Sequence, residues 1–287
     1  MLDGTVALTA RSLKKWVRNP AAVMPGLFTS VFYLALFGSS FNPESLIPSS
    51  LNSVGIPPAA LAQIKASILA QSFGGAPTYI TYLTAGVICL ILVFNMSFGG
   101  IDLILDRQLG YLNTLLTAPI PRVSIFLSGV LQNVVKAIFI ALLTFIVAMV
   151  VPNGLVLASG FGVLDFAGVF ATFLLLAFSF SCVFTALALS VRSIDSLVAI
   201  VNFADLPLIF MSNALFPSGS FPTWLMEIAN VNPISKANEA ARLLIVNGSL
   251  SASQLASFTS DMVYLVVFAV IMTVFGYLAA RHALRPE

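Results

Sequence analysis

Six stretches of this chain are long and apolar enough to cross a bilayer, and that constrains its fold more than any other feature. They fall at about 21–41, 79–101, 129–150, 166–190, 197–216 and 262–280. Each supplies about the twenty residues that a helix needs to traverse a hydrocarbon core about 30 Å thick. Backbone polar groups in lipid must pair within their own segment, so the expected fold is an all-α membrane protein with six transmembrane helices in one domain, 1–287. Composition agrees: 59% of the 287 residues are hydrophobic and 8% are charged, which excludes an ordinary soluble domain. Pro25 and Pro207 lie inside spans and are expected to kink them.

Lysine and arginine set the orientation. With the N-terminus inside, Arg11, Lys14, Lys15, Arg18, Arg107, Arg122, Arg192, Arg281 and Arg285 fall on the cytoplasmic side. Only Lys65, Lys236 and Arg242 fall outside, and Lys136 lies within the third span. This bias predicts two cytoplasmic termini. Residues 5–19 place basic groups among Val6, Leu8, Leu13, Trp16 and Val17, the pattern of an interfacial helix or of a plain basic flank. The first external loop, 42–78, should hold a short helix after Pro57-Pro58, with Leu61, Ile64 and Ile68 on one face. After the fifth span, Phe221 to Val231 is apolar but too short to cross. With Pro222 and Trp224 it predicts a re-entrant or interfacial element within an external region, 217–261. Asn232 as N-cap and Pro233 in the first turn then start a helix to about Val246.

Between the second and third spans lies a polar segment, 102–122. Leu105, Leu109, Leu112 and Leu116 recur at helical spacing, Asp102 and Asp106 suit a helix start, and Pro119 and Pro121 stop it. A short amphipathic helix between two spans is expected, with Gly110 permitting close backbone approach. The run Asp106, Arg107, Gly110, Tyr111, Leu112, Leu115, Leu116, Ala118, Pro119, Ile120 and Arg122 resembles the first cytoplasmic loop of type-2 ABC exporter permeases. The resemblance implies a coupling helix that docks on an ATPase subunit. Asn113 stands where that family usually carries a glutamate, which puts one charge contact in doubt. The short loop with Arg192 and Asp195 could offer a second contact, or be a tight charged turn. A second cluster, Pro207 to Asn213, Phe216-Pro217, Phe221-Pro222, Trp224, Asn232-Pro233 and Glu239 to Arg242, resembles the late half of permeases in the drug and antibiotic exporter group. There it implies external re-entrant helices that close the pathway.

The chain carries no glycine-rich phosphate loop followed by Lys-Ser or Lys-Thr, no metal-ligand spacing and no positioned nucleophile. No nucleic-acid patch is present. Cys89 and Cys182 sit in apolar runs and read as buried thiols, and His282 reads as a terminal flank. The reading is therefore a transporter subunit without its own nucleotide site, multi-pass in the cell membrane. The resemblance adds two ATPase subunits holding ATP and Mg, a second permease that is another copy of this chain, and a path near spans two and five. Asp205 lies deep in the fifth span, and with Asn202 and Asn213 it is a candidate for that path. A charge at such depth costs about 2.5–3.5 kcal/mol and needs a partner, protonation or water. Lys136 could pair with Asp205 or snorkel to the surface. A proton-coupled carrier built on Asp205 and Lys136 is the alternative, and a lipid-active enzyme a more remote one.

Overall fold

The computed structural model describes residues 2–19, 23–40, 73–111, 121–151, 154–217 and 221–283, with single positions at 57, 60, 63, 64, 67 and 117. Among the described residues the chain is helical without strands. The helices are α1 (Leu2–Val17), α2 (Met24–Ser40), α3 (Tyr79–Phe98), α4 (Ile101–Gln108) and α5 (Arg122–Val150). Then follow α6 (Val163–Ser190), α7 (Ile194–Phe210), α8 (Thr223–Val231), α9 (Pro233–Asn247) and α10 (Ala252–Ala283).

The centre is α3. Every residue from Tyr79 to Val93 is buried, so no face is left for lipid, and α2, α5, α6, α7 and α9 pack around it. A helix apolar on all sides belongs in such a place. α6 shares the interior, whereas α10 is outermost: 17% of its apolar window is buried against 72% for α6. Val263, Val267, Val270 and Val274 stand exposed along α10, the side chains that a lipid-facing helix presents.

Lipid tails are as apolar as leucine, so burial alone does not hold such helices together. Close packing and interhelical hydrogen bonds do. Ser30 Oγ and Thr144 Oγ1 meet at 2.7 Å between α2 and α5, and Ser181 donates to the Val130 carbonyl at 3.1 Å between α6 and α5. At the end of α3, Gly99 and Gly100 let the helix pass tightly through its neighbours. A Cβ added there would stand 2.6 Å from the Asn133 side chain and 2.3 Å from that of Ala188.

Among the described residues, four segments are long and apolar enough to cross a membrane: Tyr79–Gln108, Arg122–Val150, Val163–Ser190 and Ala252–Ala283. Met24–Leu36 is a shorter apolar helix. α7, with 17 residues, reaches only about 25 Å at 1.5 Å per residue.

Several boundaries differ from those read in the sequence, each for a physical reason. The second helix does not stop at 101 but runs through Gly99 and Gly100, both in right-handed helical geometry, into α4. The third starts at Arg122 because Pro121, with φ −59°, opens it. The fifth ends at Phe210, not 216, just after Pro207, where the chain turns through 211–217. The sixth begins at Ala252, ten residues before the expected 262. The helix expected after Pro57-Pro58 lies almost wholly outside the described residues. α8 and α9 appear where Pro222, Trp224 and the Asn232-Pro233 pair signalled them, and α9 ends at Gly248, φ +63°.

Candidate functional site

α4 opens with Asp102 in its first turn and ends at Gln108, with Gly110 just beyond it in the left-handed region at φ +77°. Two expectations are corrected here. The helix expected to carry the leucine stripe onward from Leu105 ends at Gln108, with Leu109 as its C-cap. Asp106 is near the far end of α4, not at its start. Leu112, Leu115, Leu116 and Pro119 lie outside the described residues.

α4 is fastened on two sides. Toward α1, Arg11 Nη1 lies 3.6 Å from Asp106 Oδ2, and the guanidinium stacks 3.8 Å from the Tyr111 ring centroid. The Arg11 and Asp106 side chains are 48% and 21% exposed, so the ion pair alone contributes less than about 1 kcal/mol, and the ring contact adds about 0.5–1. Lys136 Nζ of α5 donates to Asp102 Oδ2 at 2.9 Å, with Lys15 Nζ 4.0 Å from Oδ1 of the same carboxylate. On the other side, Arg107 donates Nη1–H to the Val191 carbonyl at 2.8 Å and Nη2–H to that of Leu189 at 2.5 Å. Those carbonyls close the C-terminus of α6, where helical partners run out and positive charge is favoured. The following turn has Ser193 as N-cap of α7, its Oγ accepting from Ser196 N at 3.2 Å. Arg192 and Asp195 are exposed on it, as is Arg122 at the start of α5. Leu109, 79% exposed, stands at the tip of the α3–α4 rod.

Asp205 sits on the one buried stripe of α7, with Leu197, Val201 and Ile209. It is 3% exposed, its Oδ1 accepts from Ser97 Oγ at 2.8 Å, and its Oδ2 has no hydrogen-bond partner among the described residues. The supposed Asp205–Lys136 pair is therefore corrected: each of the two holds a different partner. The three path candidates are not brought onto one surface. Asn202 is exposed beside Phe203, Asp205 faces α3, and Asn213 is buried in a network at the other end of the bundle.

That network ties the 211–217 turn to α9 and α10. Asn213 N–H donates to Ser235 Oγ at 3.1 Å and its Nδ2 to Glu239 Oε1 at 2.5 Å, while Asn238 Nδ2 reaches the Asn213 carbonyl at 2.9 Å. Lys236 bridges Glu239 at 3.3 Å and Asp261 of α10 at 3.2 Å. Burial pulls the Lys236 ammonium down, but the two carboxylates outweigh it and hold it above the ordinary lysine value. Arg242 lies over the Tyr82 ring of α3, 3.7 Å from its centroid. Asn232 joins two helices at once: Oδ1 accepts from Ile234 N at 2.9 Å, and Nδ2 donates to the Leu208 and Met211 carbonyls at 2.8 and 3.1 Å. Pro233 is buried beneath it, whereas Phe216, Pro222 and Trp224 are exposed. Pro217 ends the turn. Sequence reasoning missed Asp102, Ser97 and Glu239 as partners, since each pairing spans 26 or more positions. The only signal was a polar residue in otherwise apolar surroundings.

A central buried helix, a lipid-suited outer helix and four spanning segments define a polytopic membrane protein. The family model described as ABC-2 type transporter matches residues 4–246, and the chain belongs to that family of transport permeases. It is 29% identical over 246 residues to the transport permease ycf38 of Porphyra purpurea, covering 84% of this chain and 73% of that one. With its counterpart in Cyanophora paradoxa the identity is 26% over 277 residues, covering 93% and 84%. With the daunorubicin resistance ABC transporter permease protein DrrB1 of Streptomyces coeruleorubidus it is 26% over 182 residues, covering 60% and 62%.

Proposed function

We propose that this chain is the transmembrane subunit of an ATP-driven exporter that moves an apolar or amphipathic substrate out of the cytoplasm or the inner leaflet. It works as two copies with two ATPase subunits, which hold ATP and Mg. α2 and α7 complete six spans, both termini are cytoplasmic, and α8 with α9 forms the external re-entrant element. α4 and the residues after it, through Leu112, Leu115, Leu116 and Pro119, then dock on the ATPase, with Arg192 and Asp195 beside them.

The observation that carries this reading is how α4 is held. Asp106 and Arg107 are spent within the chain, on Arg11 and on the end of α6, so they position the segment and leave Leu109 to protrude. An apolar tip on a fastened rod suits docking on a partner. The drug-resistance permease among the relatives supports an amphipathic cargo. The proton-coupled alternative needs Asp205 and Lys136 to act together, and their separate partners speak against it.

The test is reconstitution. The purified chain alone should hydrolyse no ATP, and adding a cognate ATPase should give turnover that the transported compound modulates. Robust hydrolysis by the isolated chain, or transport driven by a proton gradient without ATP, would overturn the reading.

A further inference from the structure

Beside α4, a cleft of about 550 Å³ opens between α1, α2, α3 and α5. It lies within the roughly 300–1,000 Å³ range in which proteins hold drug-sized ligands. Its walls are aromatic and aliphatic: Trp16 from α1, Tyr33 from α2, Phe94 and Phe98 from α3, and Ile140 from α5. Trp16 is braced edge-on against Phe139, with ring centroids 5.4 Å apart.

The polar groups converge at one end. Lys136 and Asp102 both line the cleft. Lys136 spends one N–H on Asp102, which leaves two of its three donors for a ligand. Asp102 also has Lys15 within 4.0 Å, so the cluster carries more positive than negative charge. A cationic group would have to displace a lysine from Asp102, whereas an anionic one adds to the cluster without breaking it. Asn133, also lining the cleft, is 1% exposed and its Oδ1 has no hydrogen-bond partner among the described residues, an acceptor that suits a ligand hydroxyl or amide.

Depth fits as well. α5 has 29 residues, about 44 Å at 1.5 Å per residue, so about 14 Å of it overhangs a 30 Å core. With that overhang at the Arg122 end, where α1 packs, Lys136 lies about 21 Å along the helix and about 7 Å inside the boundary, and its side chain extends back toward the headgroup level to meet Asp102. Trp16 and the basic face of α1 belong at that same level.

We propose that this cleft binds an anionic amphipath, a phosphate- or carboxylate-bearing headgroup on an alkyl or aromatic body, drawn from the leaflet on the α1 side. Lys136 holds the anion and the Trp16, Phe94 and Phe98 walls hold the apolar body. Its role as a loading station for export rests on the exporter reading above, but the binding does not.

The chain holds two tryptophans, and Trp224 is exposed on α8, away from the cleft. In a Trp224→Phe background, Trp16 fluorescence therefore reports occupancy in the purified full-length chain. The probes are a brominated-chain alkyl phosphate and a brominated alkyl trimethylammonium of equal chain length. The phosphate should quench saturably and bind at least about tenfold tighter than the ammonium, and Lys136→Met should remove about that factor. Thr29→Phe, which fills the cleft from α2 without touching the ion pair, should abolish saturable quenching, and it stands in if Lys136→Met fails to fold. Inorganic phosphate, lacking a chain, should not displace the probe. The proposal is overturned by equal or tighter binding of the ammonium, by strictly linear quenching, by quenching unaffected in Thr29→Phe, or by displacement with phosphate alone. Because no ATPase is present, an absent partner would sink the exporter reading and leave this result standing. Lost quenching with intact ATP coupling would sink the cleft alone.

Discussion

Asn232 shows how much one side chain can carry at a helix junction. Its oxygen caps α9 while its two N–H donors satisfy carbonyls at the end of α7. Asn232→Ala loses a cap worth about 1 kcal/mol and leaves two carbonyls unpaired, so about 2–4 kcal/mol of stability should go. Asn232→Asp keeps the cap and loses the donors, and should fall between. Denaturant unfolding in detergent measures both, and a wild-type midpoint for Asn232→Asp would refute the double role. The charges follow similar logic. Lys136 and Asp102 should show a coupling of about 1 kcal/mol in a double-mutant cycle with Lys136→Met and Asp102→Asn. Lys136→Met with Asp205→Asn should be additive within about 0.5 kcal/mol, since Asp205 answers to Ser97. The reverse pattern would restore the pairing that depth alone suggested. Depth misled because it counts residues along each span, whereas Asp102 meets Lys136 only through the unbroken passage from α3 into α4.

At the scale of elements, Arg107 is the informative contact. Its planar fork reaches two carbonyls of α6 at once, which the single ammonium of a lysine cannot reproduce. Arg107→Lys should therefore loosen the α6–α7 turn while leaving the helices inserted. Hydrogen exchange should quicken for amides of residues 191–197 and stay unchanged in α3 away from the site. Unaltered exchange at the turn would count against the fastening. The start of α9 was legible because its signal is local, Asn232 with Pro233, whereas α5 was placed seven residues late because Pro121 was read only as the stop of the segment before it. The end of α4 was not legible, since leucines keep their spacing past Gln108, where the helix ends. α7 was overestimated for the related reason that the apolar run outlasts the helix, and Ser212 to Leu215 in the turn that follows are buried as deeply as a span.

For the whole molecule, four of the six expected spans and their lipid character could be read from hydropathy, because lipid removes the choice of backbone structure. Which helix sits at the centre could not: α3 and α10 are about equally apolar, yet one is buried and the other exposed. Orientation is open to direct measurement. Cys89 and Cys182 are free and buried, so background labelling should be low. Single cysteines at Asp195 and Ser249, both exposed, should differ in intact cells, with only the second reacting with an impermeant maleimide. Labelling of 195 alone would invert the topology. The fork of Arg107 bears finally on how such permeases can be recombined. On the docking role proposed above, residues 102–122 form a cassette to graft between relatives in order to change the ATPase they accept. Arg107 ends on carbonyls some eighty positions away, so such a graft carries half a joint. Chimeras that exchange 102–122 together with the 189–196 turn should retain function more often than chimeras that exchange either piece alone.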